Sequence, residues 1–289
     1  YLAGAGWVQL LVIASYAAWL TTKLLEPKGS ALWRRRVWLL FSVVFFAQLF
    51  LGLAGLEGLL MTGELHLPVP AVILAGPIYR GTGLFMPVLF TVTALLVGPA
   101  WCSHLCYFGA WDDLACRSRR RPQALPSKTW AVRLGITVAV VAVAVTLRLA
   151  GASTMGAAAS GLAFGFVGVA VILLWSRRSG VMAHCVVYCP MGLVANLLGK
   201  LSPFRIRIKD DCTLCGACGQ VCRYDALSKG DLQRQRPGLT CSLCGDCIGA
   251  CPNGQLEYRF GGLRGTRART LFIVLAASLH AVFLALARV

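Results

Sequence analysis

Charge is scarce in this sequence. Asp, Glu, Lys and Arg make up 13% of its 289 residues, against about 25% in an ordinary soluble domain. Acid is scarcer than base: 11 Asp and Glu stand against 28 Lys and Arg, a net charge of +17. No nucleic-acid-binding motif accompanies that excess, so it reads as a topology signal and nucleic acid is not expected as a partner. No cleavable signal peptide is legible from Tyr1 onward. The four histidines form no intramembrane pairs, so no haem ladder is expected. What stands in place of charge is apolar: 57% of residues are hydrophobic and the mean hydropathy is +0.70.

The apolar runs set the expected architecture. A hydrocarbon layer about 30 Å thick takes about 20 residues of helix. Six segments suffice: 5–25, 37–57, 84–103, 130–150, 157–176 and 269–287. The stretch 64–83 is apolar but broken by Pro68, Pro70 and Pro77, and reads as an outer loop lying on or dipping into the membrane surface. Twenty-five of the 28 Lys and Arg fall on one side of this arrangement, with Arg80, Arg148 and Arg288 on the other. The positive-inside rule then puts the cysteine-rich side in the cytoplasm and both termini outside. The expected setting is a bacterial-type inner (cytoplasmic) membrane, with the Arg-rich runs near anionic lipid headgroups.

Thirteen cysteines are clustered along the chain, which favours metal ligation over a disulfide framework. "CTLCGACGQVC" places Cys212, Cys215, Cys218 and Cys222 at C-x2-C-x2-C-x3-C spacing; "CSLCGDCIGACP" repeats it with Cys241, Cys244, Cys247 and Cys251. This is the spacing of a two-cluster bacterial ferredoxin, in which the fourth cysteine of each run ligates the other cluster. The expected sets are Cys212, Cys215, Cys218 and Cys251 for the first [4Fe-4S] cluster, and Cys241, Cys244, Cys247 and Cys222 for the second. Zinc, which takes four ligands in two separated pairs, is the competing reading. Arg223 stands where a proline usually follows the first run. "FRIRIK" (204–209) and "QLEYRF" (255–260) alternate like strands and are expected to pair.

Two further pairs precede these runs. "AWCSHLCYFGA" (100–110) and "AHCVVYCPMGL" (183–193) align Cys102 with Cys185, Cys106 with Cys189 and Gly109 with Gly192, at a constant offset of 83. The pattern reads as a degenerate parallel repeat about an axis along the membrane normal. On a regular helix, i and i+4 put each pair on one face. Converged, the four thiols can hold a further metal centre or act as a redox dithiol; as small buried hydrophobes they would only pack. Cys116 has no partner and reads as a free thiol.

Membrane helices, two C-x3-C pairs and two four-cysteine runs together resemble the polyferredoxin-like membrane family. The nearest in length are its NapH-type quinol dehydrogenase subunits, and NosR-type and CcoG-type proteins are related. The resemblance covers about residues 37–260; Pro190 fits the family's C-x3-C-P form, while Tyr107 occupies the position of the first proline. It implies an α-helical membrane protein of about six transmembrane helices with an inserted α+β two-cluster ferredoxin-like domain. The divisions expected are 1–203, 204–262 and a final transmembrane helix within 263–289. It also implies electron transfer between the quinone pool and a partner redox protein, beside other redox subunits of a membrane complex. A quinone would then be a further ligand. A wiring subunit without its own quinone site, and a maturation factor that reduces a metal or disulfide, would use the same clusters. Quinol oxidation releases protons, which makes membrane-edge acids and histidines candidates: Glu57, Glu64 and His66 near the outer face, His104, Asp112 and Asp113 near the inner. Solvated loop residues are the alternative for each.

Overall fold

The structure is a computed structural model and describes residues 6–26, 29–56, 59 and 67–286. Among the described residues six helices are long and apolar enough to cross a membrane: Gly6–Leu25, Ser30–Leu53, Phe85–Leu105, Thr129–Leu149, Thr154–Ser179 and Thr266–Ala285. The first two are α1 (Gly6–Leu25) and α2 (Ser30–Leu53). Next come the short α3 (Val72–Arg80), then α4 (Phe85–Val97), α5 (Tyr107–Cys116), α6 (Thr129–Leu149) and α7 (Thr154–Val171), which continues into the last turn α8 (Arg177–Ser179). The chain then forms α9 (Pro190–Leu198), β1 (Phe204–Ile208), α10 (Ala217–Val221), α11 (Lys229–Gln233), α12 (Asp246–Ala250), β2 (Leu256–Phe260), β3 (Leu263–Arg264) and α13 (Thr266–Leu286).

The long helices carry apolar side chains outward as well as inward. Leu10, Val138 and Phe166 are all well exposed, the pattern of a helix hydrophobic all round. Helix α2 starts seven residues before the apolar run suggested, taking in Arg34, Arg35 and Arg36. A charge ends an apolar run on a hydropathy scale, but Arg34 is buried and ion-paired, so the helix runs through it. The segment read as an outer loop is in part helical: α3 forms around Pro77 and ends on left-handed Gly81. Its approach also packs, since a Cβ at Gly165 of α7 would lie 2.7 Å from Val69.

Strands β1 and β2 pair antiparallel in the register Phe204↔Phe260, Ile206↔Tyr258 and Ile208↔Leu256, and β3 adds to β2. Alternation decides which face is buried: Phe204, Ile206 and Ile208 turn inward, while Arg205 and Arg207 are partly exposed. The inward face rests on the first turns of α13, where Phe272 meets Phe204 edge-on at 5.3 Å and stacks on Tyr258 at 4.8 Å. The same buried cluster includes Leu20 and Leu24 of α1 and the cysteines Cys218 and Cys247. The sheet thus ties the thiol-bearing loops to the membrane-length helices. Phe272→Ala should therefore cost about 3–5 kcal/mol and admit protease to the 204–264 segment. Denaturation midpoints and limited proteolysis of the solubilised protein test this; unchanged values would show that the sheet does not lean on α13.

Candidate metal centres

The two four-cysteine runs fold alike, residue for residue, at an offset of 29. Each turns through a left-handed leucine (Leu214, φ 54°; Leu243, φ 57°) and then a left-handed glycine (Gly216, Gly245). A leucine there costs about 1–2 kcal/mol, a strain that turns the loop around the second cysteine and into the one-turn helix that carries the third; Cys218 and Cys247 are buried while Cys215 stays exposed. A one-turn helix follows, α10 or α12, and the fourth cysteine is extended: Cys222 at φ −75°, ψ 101° and Cys251 at φ −79°, ψ 113°. The sulfur of each fourth cysteine accepts a backbone N–H from four residues on, Ala226 to Cys222 at 3.4 Å and Gln255 to Cys251 at 3.3 Å.

Electrostatic neighbourhood links seven of the eight thiols across the two runs. Cys218 feels Cys251 and Cys212. Cys247 feels Cys244, Cys241 and Cys222, and Cys222 in turn feels Cys241. The fourth cysteine of each run therefore lies with the other run's cysteines. Burial pushes Cys222, Cys241 and Cys244 up to about 12. As free thiols they would be neutral near pH 7, so a metal binding there must displace protons.

An ion network holds the second loop against the membrane-length helices. Arg34 of α2 is buried; its Nε and Nη2 donate to the two carboxylate oxygens of Asp246 at 3.2 and 2.8 Å. Its Nη1 donates to Ser103 O at 3.0 Å, and its guanidinium lies 5.4 Å from the Trp38 ring. Asp113 of α5 accepts from Arg117 at 2.7 and 2.8 Å, and Arg117 also reaches Asp246 at 3.4 Å. Asp246 lies between Cys244 and Cys247, so this network fixes the loop itself. Arg223 docks the first run: it donates to the carbonyls of Arg119, Arg120 and Gly180 at 2.8–3.0 Å.

The C-x3-C pairs depart from the expected geometry. They do not lie along one face of a regular helix. Each pair closes a wide turn, with Cys106 N–H donating to Trp101 O at 2.9 Å and Cys189 N–H to His184 O at 2.7 Å, five residues back. Such π-type turns recur at functional sites. The chain then goes extended at the second cysteine, φ −80°, ψ 116° at Cys106 and φ −74°, ψ 119° at Cys189, and enters α5 or α9. Glycine follows because the turn closes on its own backbone. A Cβ on Gly109 would stand 3.0 Å from Cys102 O, and one on Gly192 2.5 Å from Cys185 O. Cys102, Cys106 and Cys189 meet in one buried cluster, and Cys185 feels all three.

The remaining candidates divide. Glu57, Glu64 and His66 lie outside the described residues. His104, Asp112 and Asp113 are buried, which tells against the solvated-loop alternative for them: α5 packs against α2 and carries both acids inward. His104 Nδ1 is 2.9 Å from Ser103 Oγ. Asp112 accepts from Cys185 N–H at 2.9 Å while its Oδ1 has no partner, and burial pushes its carboxyl up to about 7. The ligand atoms of Asp112, His184 and Cys185 lie within 4.8 Å of one another. His184 escaped notice in the sequence although it adjoins Cys185, and Arg34, Arg133 and Tyr224 escaped because their partners are 52 to 212 residues away. Cys116 is buried and donates weakly to Asp113 O.

Comparison with protein families agrees with the thiol chemistry. A family model described as a 4Fe-4S binding domain matches residues 79–124 and again 161–209. A second model, also described as a 4Fe-4S binding domain, matches residues 206–228. These matches support an iron–sulfur protein. Each match to the first model contains one C-x3-C pair, and the match to the second contains the first four-cysteine run. No curated protein and no solved structure matches the chain.

Removing one member of the ion network should be costly, because it leaves the others buried and unpaired. Arg34→Ala should destabilise the protein by about 3–5 kcal/mol. Arg34→Lys should recover only part of that, since an ammonium cannot bind both carboxylate oxygens in the same fork. Thermal unfolding followed at the iron–sulfur absorbance would read both; equal stabilities in the two variants would discount the bidentate contact.

Proposed function

We propose that this protein is a membrane electron-transfer subunit passing electrons between the quinone pool and a partner redox protein through two [4Fe-4S] clusters. The observation that carries the reading is that thiols of each run neighbour thiols of the other, Cys251 beside Cys218 and Cys222 beside Cys241 and Cys247. That exchange is the ligand pattern of a two-cluster ferredoxin and is not expected of two independent four-thiolate zinc sites. The residues fit the group: left-handed turns bring four cysteines close together in each run, and backbone N–H groups are supplied to the sulfurs of Cys222 and Cys251. Cys212, Cys215, Cys218 and Cys251 would hold one cluster, and Cys241, Cys244, Cys247 and Cys222 the other. Bound there, the clusters supply one-electron storage and transfer. The paired β1 and β2 with α10 and α12 are read as the small α+β module that carries them, inserted between the fifth membrane-length helix and α13.

The chain's own residues position this module. Arg34 and Arg117 grip it through Asp246, Arg223 docks it on the 119–120 carbonyls, and Phe272 seats its sheet. In a bilayer the six long helices would span, with the module on the basic, cytoplasmic side of a bacterial-type inner membrane. A quinol delivers two electrons and two protons. The electrons leave singly, and the protons need acceptors at the membrane edge, for which His104, Asp112, Asp113, Glu57, Glu64 and His66 are the candidates. Other redox subunits would complete the path.

The protein isolated without oxygen should contain about eight irons assignable to two cubanes and give a reduced-state EPR signal that quinol or a partner can generate. Stoichiometric zinc without iron would sink the assignment. Orientation has its own test. Cysteine-accessibility labelling should find a probe near Lys229 on the cytoplasmic side and one near Thr82 outside; the reverse pattern would overturn the placement of the module.

A further inference from the structure

The four thiols of the C-x3-C pairs are not used by this electron path, yet their surroundings are built for negative charge. Cys106 and Cys189 each sit at the N-terminus of a helix, α5 and α9. Burial acts most strongly on both sulfurs and disfavours the thiolate; the backbone N–H groups of Phe108 and Gly109 beside Cys106, and of Met191 and Gly192 beside Cys189, oppose it. Donors at a helix N-terminus favour a thiolate over a thiol.

Arg133 is a second, independent observation. It enters from α6 and is buried. Its Nη2 donates to Asn196 Oδ1 at 2.8 Å and to Cys185 O at 3.3 Å, while Nε and Nη1 have no partner. Among the described residues no carboxylate pairs with it; the acidic groups it faces are the thiols of Cys102, Cys189 and Cys185. Four neutral thiols would leave this guanidinium uncompensated, and disulfides would remove its only available counter-charges. A metal bound by four thiolates is an anion and would satisfy it.

We propose that Cys102, Cys106, Cys185 and Cys189 ligate a third metal centre of the iron–sulfur class, with Arg133 as its buried counter-charge. Soft thiolates also suit zinc and Cu(I). The iron–sulfur class is chosen because both matches to the first 4Fe-4S family model contain one of these pairs. The centre's place in an electron path rests on the function proposed above; its existence does not. It shares a buried cluster with the second four-thiol group. Tyr224, buried, donates its hydroxyl to Cys102 O at 3.0 Å, and Trp38 Nε1 donates to Cys106 O at 2.8 Å. Both belong to a buried cluster that includes Cys185 and against which Cys222, Cys241 and Cys244 pack. One electron can pass between the two centres with no bond made or broken.

The test compares the full-length protein, purified without oxygen, with the Cys185→Ser, Cys189→Ser double variant, reading iron, labile sulfide and EPR. The wild type should carry about two to four more irons than the double variant, and the double variant should keep the EPR signals of the other clusters. Arg133→Gln should retain that extra iron while shifting the third centre's reduction potential to a more negative value, and Arg133→Lys should restore it. Should the double variant fail to fold, the wild type alone decides. Denatured without reductant after iron chelation, it must show the four thiols by mass tagging, together with iron beyond the other two clusters. Equal iron in wild type and double variant would overturn the third centre, as would zinc or copper at the four thiols. Excess iron with no signal from the other clusters would uphold the third centre and sink the two-cluster path instead.

Discussion

Everything proposed for this protein depends on how a few charges are held out of water. A buried guanidinium, Arg34, joins the thiol-bearing module to the membrane-length helices, bound to both oxygens of Asp246 and to the Ser103 carbonyl. Burying a cation and an anion together brings little net stability, because desolvation offsets most of their attraction. Its effect is geometric. With several partners fixed in a low-dielectric setting, no other placement of the loop satisfies all of them. Asp246 sits within the second cysteine run, so the contact that docks the module also positions Cys244 and Cys247.

The same economy governs the backbone. Two internal repeats, at offsets of 29 and 83, use one device: a turn that stops on an extended cysteine, so that its sulfur faces donors from the chain that follows. This device explains why Tyr107 can stand where the second C-x3-C pair is followed by Pro190. Position 107 and position 190 are both the first residue of a helix. Proline is favoured there because its missing N–H would be unpaired anyway, but it is not required. The turn is made instead by the π-type hydrogen bond and by the glycine two residues further on, which are present in both copies. Arg223 is a departure of another kind. Where the ferredoxin pattern has a proline, this chain places a guanidinium that binds the carbonyls of Arg119, Arg120 and Gly180, which suits a module anchored to helices more than one free in solution.

Much of this was legible along the chain. The membrane-length helices follow from runs of apolar residues, since a single helix satisfies its own backbone and needs no distant partner to be recognised. The eight cysteines follow from tight spacing on short loops, and β1 and β2 from alternation. The offset-83 repeat was visible as well, although its local shape was not: i and i+4 on a helix is a regular expectation, and only the folded chain shows a wide turn with an extended cysteine at its end.

What tertiary structure decided is the partnering of groups far apart in sequence. Arg34 looked like one of three arginines bounding an apolar segment, and Arg133 like part of a topology signal; each is a buried cation because a residue 212 or 63 positions later meets it. For Asp112 and Asp113 the sequence left open a solvated loop, and α5 turned them inward. The reason is physical. Periodicity and spacing report interactions over one or two turns of chain, whereas the pairing of a buried charge depends on which surfaces packing brings together. The sequence by itself determined the helices, the cysteine runs and the strands; the fold decided which charges sit beside the thiols.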